Sequence, residues 1–599
     1  MADNQVREVK LFNFSDLNAK AERLHTWVGA RATASILLLI SIAVFYLLPG
    51  IFSMPPVDRT EVIYAQVARQ MIESWNFMEA RFGDTVLLDR PFGTLWIHSF
   101  FGWLTGSSDQ ISSYRLASAT FTIAGVCAFY FLSRELYGNT AALISALWLA
   151  GTPLIVMQAH LALSKPIMML FVVISQMCLA HIYMRTKFGN EHDFCIKALF
   201  WLTQGLAAII GGFVIAALSL TTVLALSAWH RSIDIFKRLV LHPAALVWLA
   251  AMSIWIYRHI SYVSQNAPAN SETLWSMLAP LLEPQSMHLT APPGAFILLL
   301  VVGVMPMLVM LLPMLHLIRS GVGDRKIIFL LAWILPYILG LELISILQII
   351  SDKPPTYMVQ SAIPAMALLT GLTITKFDDV RGSLNTGFGK WWLMGFLSMT
   401  LLQPFTLIGF AWATGVAPNI MSIVLVFAVS FMFAGAIFAL QRHLIYLYTS
   451  MACFSGIILY MLLFHFLLPP YKSIWPSWQV KEAITKLGPC AAQPVTFLSY
   501  NEPSIMFFLG KETQFLTSPD EAAKVLIEEK RTVVLDSRRS ANFQTRLLEA
   551  HGEKRDPFAC INGVNYARGE SVSLEIYVPK TLANVASCPK LQNYICSSQ

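Results

Sequence analysis

The chain is short of charge. Only 13% of its 599 residues are Asp, Glu, Lys or Arg, whereas 56% are hydrophobic, and the mean hydropathy is +0.59. Soluble domains carry about 25% charged residues. Many apolar runs also reach the length that a helix needs to cross a bilayer. We therefore predict a polytopic α-helical membrane protein, and this composition excludes an ordinary soluble enzyme.

Several common signatures of function are missing. The sequence has no Walker-type phosphate loop, no GxSxG, no HExxH and no CxxC pair, which argues against the enzymes and zinc knuckles that use them. It has no basic-aromatic array, so no nucleic acid partner is expected. No small-residue cleavage site follows the first apolar run, so no cleavable signal is expected. The sequence supports neither a cofactor nor a metal site.

The eight cysteines fall into two groups. Those in apolar runs or a short polar turn, which usually serve packing, are Cys127, Cys178, Cys453 and Cys195. Those in the C-terminal polar part are Cys490, Cys560, Cys588 and Cys596. Four cysteines in an exported domain permit two disulfides with three connectivities.

The apolar runs predict about thirteen membrane spans. They lie near residues 32–52, 111–133, 139–158, 164–184, 198–229, 242–257, 295–318, 327–350, 358–375, 391–412, 419–440 and 444–468. The run 198–229 is too long for one crossing, and Gly211-Gly212 near its middle predicts two helices joined by a tight turn. We predict a transmembrane domain over 1–470, with 54–110 as its first external loop.

The polar tail, 471–599, alternates strand and helix patterns. The segments VTFLSY, TQFLT, TVVLDS and VSLEIYV have the composition of short strands. Between them, DEAAKVLIEEK and NFQTRLLEAHG repeat apolar residues at helical spacing. The tail is therefore predicted to be a small α/β domain.

Basic residues are concentrated in one set of turns. These turns carry Arg134, Arg185, Lys187, Lys197, Arg231, Lys237, Arg238, Arg319, Arg325, Lys326, Lys376, Arg381, Lys390 and Arg442. The opposite short turns hold only Lys165, Arg258 and Lys353, with Arg115 just inside the second span. Positive charge stays inside. The N-terminus is therefore predicted to be cytoplasmic, with 54–110 and 471–599 on the outer side.

The segment 55–103 is unusually rich in charge for a stretch between two apolar runs. Ten of its 49 residues are charged, and two parts of it repeat apolar residues at helical spacing. Helices with one apolar stripe and a charged opposite face tend to lie on a bilayer surface. We interpret the segment as the floor of an active site at the water–lipid boundary. An ordinary solvated loop is the alternative.

Four motif patches carry a family resemblance. They are Thr60-Glu61 followed by Tyr64-Ala65-Gln66-Val67-Ala68-Arg69-Gln70-Met71, then Asp89-Arg90-Pro91-Phe92-Gly93, Leu163-Ser164-Lys165-Pro166, and Asp352-Lys353-Pro354-Pro355-Thr356-Tyr357. With these patches the chain resembles the GT-C superfamily of membrane glycosyltransferases, in the bacterial branch of lipid A aminoarabinose transferase and related protein mannosyltransferases. The resemblance implies two surface helices in the first outer loop, about thirteen spans and a C-terminal periplasmic domain, in the bacterial inner membrane.

The resemblance also implies a catalytic base near the first patch. In the family an Asp precedes the Glu and is thought to accept the acceptor's proton. Thr60 stands at that position here and cannot take this role. The base is therefore expected to be Glu61 or Asp58, with Tyr64 as a matching substrate-binding residue. Alternatively, Asp58 and Glu61 only stabilise the start of a helix.

Cations in the other patches are expected to hold the carrier phosphate. Arg90, beside Asp89, replaces a family lysine and could fork onto a phosphate or form a plain salt bridge. Lys353 and Tyr357 fit a Lys-x-Pro-x-Tyr pattern and are predicted phosphate ligands or interfacial anchors. Lys165 stands where relatives carry an Asp and is predicted at a helix start, either binding phosphate or reaching the lipid headgroups.

Two weaker signals come from single residues. His288 precedes a Pro-Pro-Gly run in an outer loop, as in relatives, and is a candidate substrate residue unless it is merely solvated. Glu342 lies inside the ninth predicted span, where an acid either has a function or pairs with a neighbouring helix. Gly211 stands where the family has a lysine.

The resemblance implies an inverting glycosyltransferase. It would move a sugar from a polyprenyl-phosphate donor to lipid A, another glycolipid, a glycan or a protein at the periplasmic face. The alternative is a catalytically impaired relative that binds carrier lipid or a protein partner, since Thr60, Lys165 and Gly211 depart from the motifs. A secondary transporter is disfavoured, because the spans hold few charges and the halves do not repeat.

Overall fold

The computed structural model describes residues 14–88, 91–185, 191–266, 292–347, 356–413, 419–566, 568–579, 594 and 596. The chain folds into two compact units. The first comprises Met1–Gly50, Ser118–His160 and Ser164–Phe466. The second comprises Ile51–Ala117, Leu161–Leu163 and Leu467–Gln599. The division of the chain at residue 470 stays a prediction from the sequence.

The described residues contain ten helices that are long and apolar enough to cross a membrane. They are Ala32–Ile51, Ile111–Tyr137, Ser164–Met184, Asp193–Gly211, Pro243–Asn266, Arg325–Leu347, Met358–Thr375, Gly387–Phe410, Ile420–Gln441 and Ile445–Leu467. The pair Asn139–Ala150 and Pro153–Ala159, bent by 57°, forms an eleventh if it counts as one span. The predicted polytopic helical fold is confirmed, while the count of thirteen stays a prediction.

Two predicted spans differ from regular crossing helices. The first is Val214–His230, which has 17 residues. The other is broken into Ala295–Gly303, Met305–Leu308 and Leu311–Ser320. The predicted turn at the two glycines is confirmed, because one helix ends at Gly211 and Gly212 has a φ of +78°, a conformation that glycine adopts without steric cost.

The remaining elements of the first unit are shorter. They are the helices Phe14–Gly29, Asp234–Val240 and Phe377–Val380, the 3₁₀ turns Thr356–Ala362 and Arg381–Leu384, and the π-helical turn Leu462–Leu467. Residues 1–13, which precede the helix Phe14–Gly29, lie outside the described part of the chain.

Gly371 lies at a close helix–helix contact. A Cβ placed there would overlap Ser145 Oγ and the carbonyl oxygen of Ala141, on the helix Asn139–Ala150. Small residues allow membrane helices to approach in this way. We expect Gly371→Ala to lower the midpoint of thermal unfolding, at a cost of about 1–3 kcal/mol. Gly395→Ala is the matched control, since a Cβ there meets nothing within 4 Å; equal midpoints for the two variants would contradict this packing.

The second unit contains the predicted surface helices, Thr60–Ser74 and Phe92–Thr105, with the hairpin strands Arg81–Phe82 and Thr85–Val86 between them. In the first helix the apolar residues Tyr64, Val67, Ala68 and Met71 of the predicted stripe are buried, whereas Trp75, just past its end, is 71% exposed. Val62 and Ala65, outside this stripe, are buried too and pack with Phe507. The prediction of a single apolar stripe therefore underestimated how much of this helix is buried in the protein.

The α/β part of the second unit holds a five-stranded sheet. Its strand order is Gln514–Leu516, Thr496–Leu498, Val533–Asp536, Glu570–Tyr577 and Ala559–Asn565. The first three strands are parallel and the last two run antiparallel to their neighbours. The helices are Pro476–Leu487, Pro503–Leu509, Pro519–Ile527 and Ser540–His551, with 3₁₀ turns at Lys472–Ile474, Gly488–Cys490 and Ser537–Arg539.

Disulfides are present in this part of the chain, as predicted. Cys560 of the edge strand is bonded to Cys596. Cys490 is disulfide-bonded as well, whereas Cys588 lies outside the described residues. The four cysteines assigned to packing, including Cys195, are free, although Cys195 lies in the helix Glu191–Gly211 rather than in a turn.

Candidate functional site

A buried ion pair lies at the start of the first surface helix. Arg115 Nε is 2.7 Å from Glu61 Oε1, and Arg115 Nη2 is 2.9 Å from Glu61 Oε2. Both side chains are almost fully buried, at 0% and 1% exposed. Two parallel charge-assisted hydrogen bonds fix the orientation of both groups. We call this arrangement the Glu61–Arg115 pair.

Arg115 also binds the backbone that leads into this helix. Its Nη1 donates to the carbonyl oxygens of Ile51 and Met54, at 3.3 and 2.5 Å, and its Nη2 donates to that of Pro55, at 2.9 Å. One guanidinium thus satisfies three carbonyls that would otherwise be buried without donors. The turn 51–55 is therefore held in place by Arg115.

Glu61 makes two further backbone contacts. Its Oε2 accepts from the N–H of Val57 at 2.8 Å, and its Oε1 accepts from the N–H of Ala162 at 3.0 Å. Together with the two bonds from Arg115, these contacts give each oxygen two hydrogen bonds. The roughly four acceptor positions of the Glu61 carboxylate are therefore all filled. This geometry favours a positioning role for Glu61, while its predicted role as the base stays a prediction.

Asp58 is bound less completely. Its Oδ1 accepts from the N–H of Ser504 at 3.0 Å, and Ser477 Oγ lies 3.4 Å from its Oδ2. Its backbone N–H donates to Tyr566 Oη. The side chain therefore caps the helix Pro503–Leu509 with one oxygen and leaves acceptor capacity on the other.

The surroundings of Asp58 raise its pKa. Asp58 is 7% exposed, and burial, together with the nearby carboxylate of Glu502, raises its pKa to about 7 despite the hydrogen bonds from Ser504 and Ser477. Glu502 is itself held by Asn565 at 2.8 Å and by Arg59 and Arg568 at 3.4 Å each. A carboxyl with a pKa near neutrality can accept or release a proton at physiological pH.

Tyr64 and Lys165 are the other predicted site residues with described side chains. Tyr64 is buried with Val67 and Met71 in an apolar cluster of the second unit, which suits packing. Lys165, in the first unit, is 8% exposed near the start of the helix Ser164–Met184, so the predicted helix start is confirmed. Its burial does not suit a side chain that extends to the lipid headgroups.

Two predicted ligand segments of the first unit lie together. Gln360 Nε2 donates to the carbonyl oxygen of Lys165 at 2.8 Å, and Gln360 belongs to the 3₁₀ turn Thr356–Ala362, which contains Tyr357. The side chain of Tyr357 lies outside the described residues, as do Asp89, Arg90, His288 and Lys353. The roles of these five residues stay predictions.

Glu342 has a structural explanation. Its Oε2 accepts from the N–H of Gly294 at 2.8 Å, and its Oε1 accepts from that of Ile297 at 2.9 Å. These donors are the free amides at the start of the helix Ala295–Gly303, where a carboxylate is favoured. Of the two interpretations left open by the sequence, the contact with a neighbouring helix is the one that the structure favours.

The partners of Asp58 and Glu61 were not found from the sequence. Arg115 was noted there only for its place in the charge distribution. A lone arginine near the start of an apolar run was a usable signal, because a buried guanidinium requires an acidic or carbonyl partner. Ser477 and Ser504 gave no signal, because they lie 419 and 446 residues from Asp58.

No family model matches the chain. Among curated proteins the chain is similar to undecaprenyl phosphate-alpha-4-amino-4-deoxy-L-arabinose arabinosyl transferases. It is 26% identical to the Erwinia tasmaniensis protein over 37% of this chain. It is 23% identical to the Yersinia enterocolitica protein over 60% of this chain. The matched part spans 42% and 64% of those relatives.

Two crystal structures of ArnT from Cupriavidus metallidurans share the fold. The apo form matches with a TM-score of 0.68 at 14% identity, over 92% of this chain and 99% of that protein. The form bound to undecaprenyl phosphate matches with a TM-score of 0.67 at 16% identity. The chain therefore has the fold of ArnT. Together with the sequence similarity to the curated arabinosyl transferases, this fold confirms the predicted resemblance to the aminoarabinose transferase branch.

Proposed function

We propose that the protein is a membrane glycosyltransferase that takes a sugar from a polyprenyl-phosphate donor. The names of its curated relatives contain undecaprenyl phosphate and an aminoarabinose, and one ArnT structure with this fold was solved with undecaprenyl phosphate. These names support an undecaprenyl-phosphate aminoarabinose donor. Lipid A, which the motif resemblance implies, is the first acceptor to test. Other glycolipids, glycans and exported proteins are further acceptors of the same chemistry.

Asp58 is the residue that we assign as the base. Its carboxyl combines a pKa of about 7 with acceptor capacity, whereas the acceptor positions of Glu61 are filled. As the acceptor's hydroxyl oxygen attacks the anomeric carbon, its proton would pass to Asp58. The bond from that carbon to the phosphate oxygen breaks, and the polyprenyl phosphate leaves with the electron pair. A single displacement of this kind inverts the anomeric configuration.

The Glu61–Arg115 pair is the observation that carries this proposal. It binds the turn 51–55, the N–H of Val57 and the N–H of Ala162, and so fixes the backbone on one side of Asp58. A base needs this kind of fixed position, because proton transfer depends on distances of about 3 Å. The pair would act by holding the loop and not by touching the substrate.

Cations are expected to stabilise the departing phosphate, whose charge grows in the transition state. Lys165 and the segment 356–362 are held together through Gln360. This contact supports a ligand role for Lys165 together with Tyr357. Arg90, Lys353, Asp89 and His288 are proposed for the same ligand on the motif resemblance alone.

We propose the bacterial inner membrane as the location, with a cytoplasmic N-terminus and a periplasmic C-terminal domain. The bias of basic residues supports this orientation. So do the disulfide-bonded cysteines Cys490, Cys560 and Cys596, since disulfides persist in the oxidising periplasm.

A reconstituted assay tests the function. The protein in liposomes receives undecaprenyl-phosphate aminoarabinose and lipid A, and mass spectrometry detects lipid A that carries the added sugar. The same assay with purified envelope glycolipids and exported proteins tests the other acceptors. Binding of the donor without transfer to any acceptor would instead support the impaired relative that binds carrier lipid.

A further inference from the structure

A basic pocket in the first unit takes no part in the proposed transfer. Its volume is about 280 Å³. It is formed where the helix Glu191–Gly211, the short helix Asp234–Val240 and the start of Pro243–Asn266 meet. Its lining residues are Lys197, Asp234, Lys237, Arg238, Leu241, His242 and Pro243. None of them belongs to the motif patches.

The charges around the basic pocket favour an anion. Lys197 pairs with Asp193, with 2.7 Å between Nζ and Oδ2. Lys237 and Arg238 face one further carboxylate, that of Asp234. Among the described side chains around the basic pocket, three cations face two carboxylates, which leaves a net positive charge. Arg238 Nη1 donates to the carbonyl oxygen of Arg185 at 3.0 Å, which fixes the guanidinium at the wall.

His242 adds a buried donor to the same wall. The residue is 7% exposed, and its ring lies 4.4 Å from that of Phe194. Nδ1 accepts from the N–H of Ala244 at 3.3 Å, so the proton of the neutral ring lies on Nε2. That nitrogen is buried and has no hydrogen-bond partner among the described residues. A buried donor without an acceptor is costly.

The neutral form of His242 also fits its surroundings. Burial and the positive charge of Lys197 lower the pKa of His242. The ring therefore stays uncharged at neutral pH, and it offers the pocket a neutral N–H donor and not a positive charge. An oxyanion in the basic pocket would accept from this N–H while the lysines and the arginine balance its charge.

Exposed apolar side chains lie on and beside the short helix Asp234–Val240, which forms one wall of the basic pocket. Ile233, Phe236, Val240 and Leu241 are 59%, 44%, 42% and 80% exposed. The adjoining candidate span, Pro243–Asn266, has only 11% of its apolar window buried in the protein. Apolar side chains next to cations are typical of a helix at the lipid–water interface. This combination of apolar side chains and cations favours a membrane lipid as the source of the anion.

We propose that the basic pocket binds the phosphate of an anionic membrane lipid. Basic pockets between membrane helices are known to hold such headgroups. The exposed apolar rim favours a lipid over free phosphate, because it would contact the acyl chains of the same molecule. The site is separate in its residues from the proposed transferase function and does not depend on it.

The test compares lipid retention in two double variants. Wild type, Lys237→Gln with Arg238→Gln, and the control Arg319→Gln with Lys390→Gln are reconstituted in nanodiscs of phosphatidylglycerol and phosphatidylcholine. Arg319 and Lys390 are an exposed arginine and lysine outside the basic pocket. Native mass spectrometry then counts the phosphatidylglycerol molecules that each protein retains. Unfolding midpoints in phosphatidylcholine alone check that all three proteins are folded.

We expect the pocket variant to retain one phosphatidylglycerol fewer and to bind it roughly tenfold to thirtyfold more weakly. The control should match the wild type. His242→Phe should weaken retention, whereas His242→Gln, which keeps a donor, should weaken it less. Equal retention by the pocket and control variants would overturn the proposal. So would stabilisation by inorganic phosphate alone with no preference for phosphatidylglycerol, since the ligand would then be a soluble anion.

Discussion

Replacement of Arg115 by methionine is expected to lower the free energy of unfolding by about 3–5 kcal/mol. The change would leave the Glu61 carboxylate buried without its cation, and it would remove the donors to Ile51, Met54 and Pro55. Methionine approximates the length of the arginine stem, so the loss reports the charge and the hydrogen bonds more than the volume. Thermal and denaturant unfolding of the purified protein in detergent measure the effect.

The matched control for this variant is Lys486→Met. Lys486 pairs with Glu482 at 2.6 Å, but the two side chains are 45% and 29% exposed. An exposed pair of this kind contributes less than about 1 kcal/mol. If the Arg115 and Lys486 variants were equally stable, the Glu61–Arg115 pair would not hold the loop as we describe.

Replacement of Asp58 by asparagine is expected to reduce the rate of sugar transfer about 100- to 10,000-fold, the usual range for loss of a general base. Asparagine has the same size and can still accept from the N–H of Ser504. Donor binding should therefore persist while transfer is lost. The measurements are the initial rate of transfer and the affinity for donor, with Glu73→Gln on the following helix Thr60–Ser74 as the control.

The pH dependence separates a base from a purely structural aspartate. Asp58 titrates near 7 in the folded protein against 3.8 ordinarily, so the wild-type rate should rise with pH and level off above about 7. Between pH 4 and 7 the folded state binds more protons than the unfolded state. The contribution of Asp58 to stability is therefore full below pH 4 and is lost as the pH rises through 7.

Asparagine at this position cannot titrate, so the Asp58→Asn protein should lack that decline in stability between pH 4 and 7. Loss of the decline together with normal transfer would mean that Asp58 is buried but is not the base. A wild-type rate that stayed constant between pH 5 and 8 would argue against the assignment as well.

Much of the membrane part could be predicted from the sequence, because each span needs a long local apolar run. The glycines at 211 and 212 marked a helix break for a similarly local reason, as only a few residues adopt a positive φ easily. In the tail, the strand Glu570–Tyr577 and the helix Ser540–His551 followed from their own periodicity. These features depend on neighbours in the chain.

The strand Ala559–Asn565 was missed for the complementary reason. Its sequence, ACINGVN, contains Gly and two Asn residues, which are disfavoured in strands. Its seven backbone pairings with Glu570–Tyr577 outweigh that preference. Tertiary pairing decided this element, and no local pattern indicated it.

The candidate site was predicted only in part. The charged segment and the acids Asp58 and Glu61 could be selected, because ten charges in 49 residues are unusual in a chain with 13% charged residues. The different environments of the two acids could not be predicted, because they depend on residues that are distant in the chain. Arg115 and Ala162 are 54 and 101 residues from Glu61, and Ser504 is 446 residues from Asp58. From the sequence alone, Asp58 and Glu61 were therefore equal candidates for the base. The structure distinguishes them, because only the Asp58 carboxylate keeps open hydrogen-bond acceptor positions.

The contacts of Glu61 also set an order for biosynthesis. A ribosome that has released only the first hundred residues leaves this carboxylate without Arg115 and without the amide of Ala162. Translation proceeds from the N-terminus, so the first loop must wait for the later spans to be inserted before it can reach its final form. The contacts of Asp58 form later still, because they require Ser477 and Ser504 to have been synthesised. A nascent chain truncated before residue 477 should consequently be sensitive to proteases within 51–60, even when all of its spans are in the bilayer.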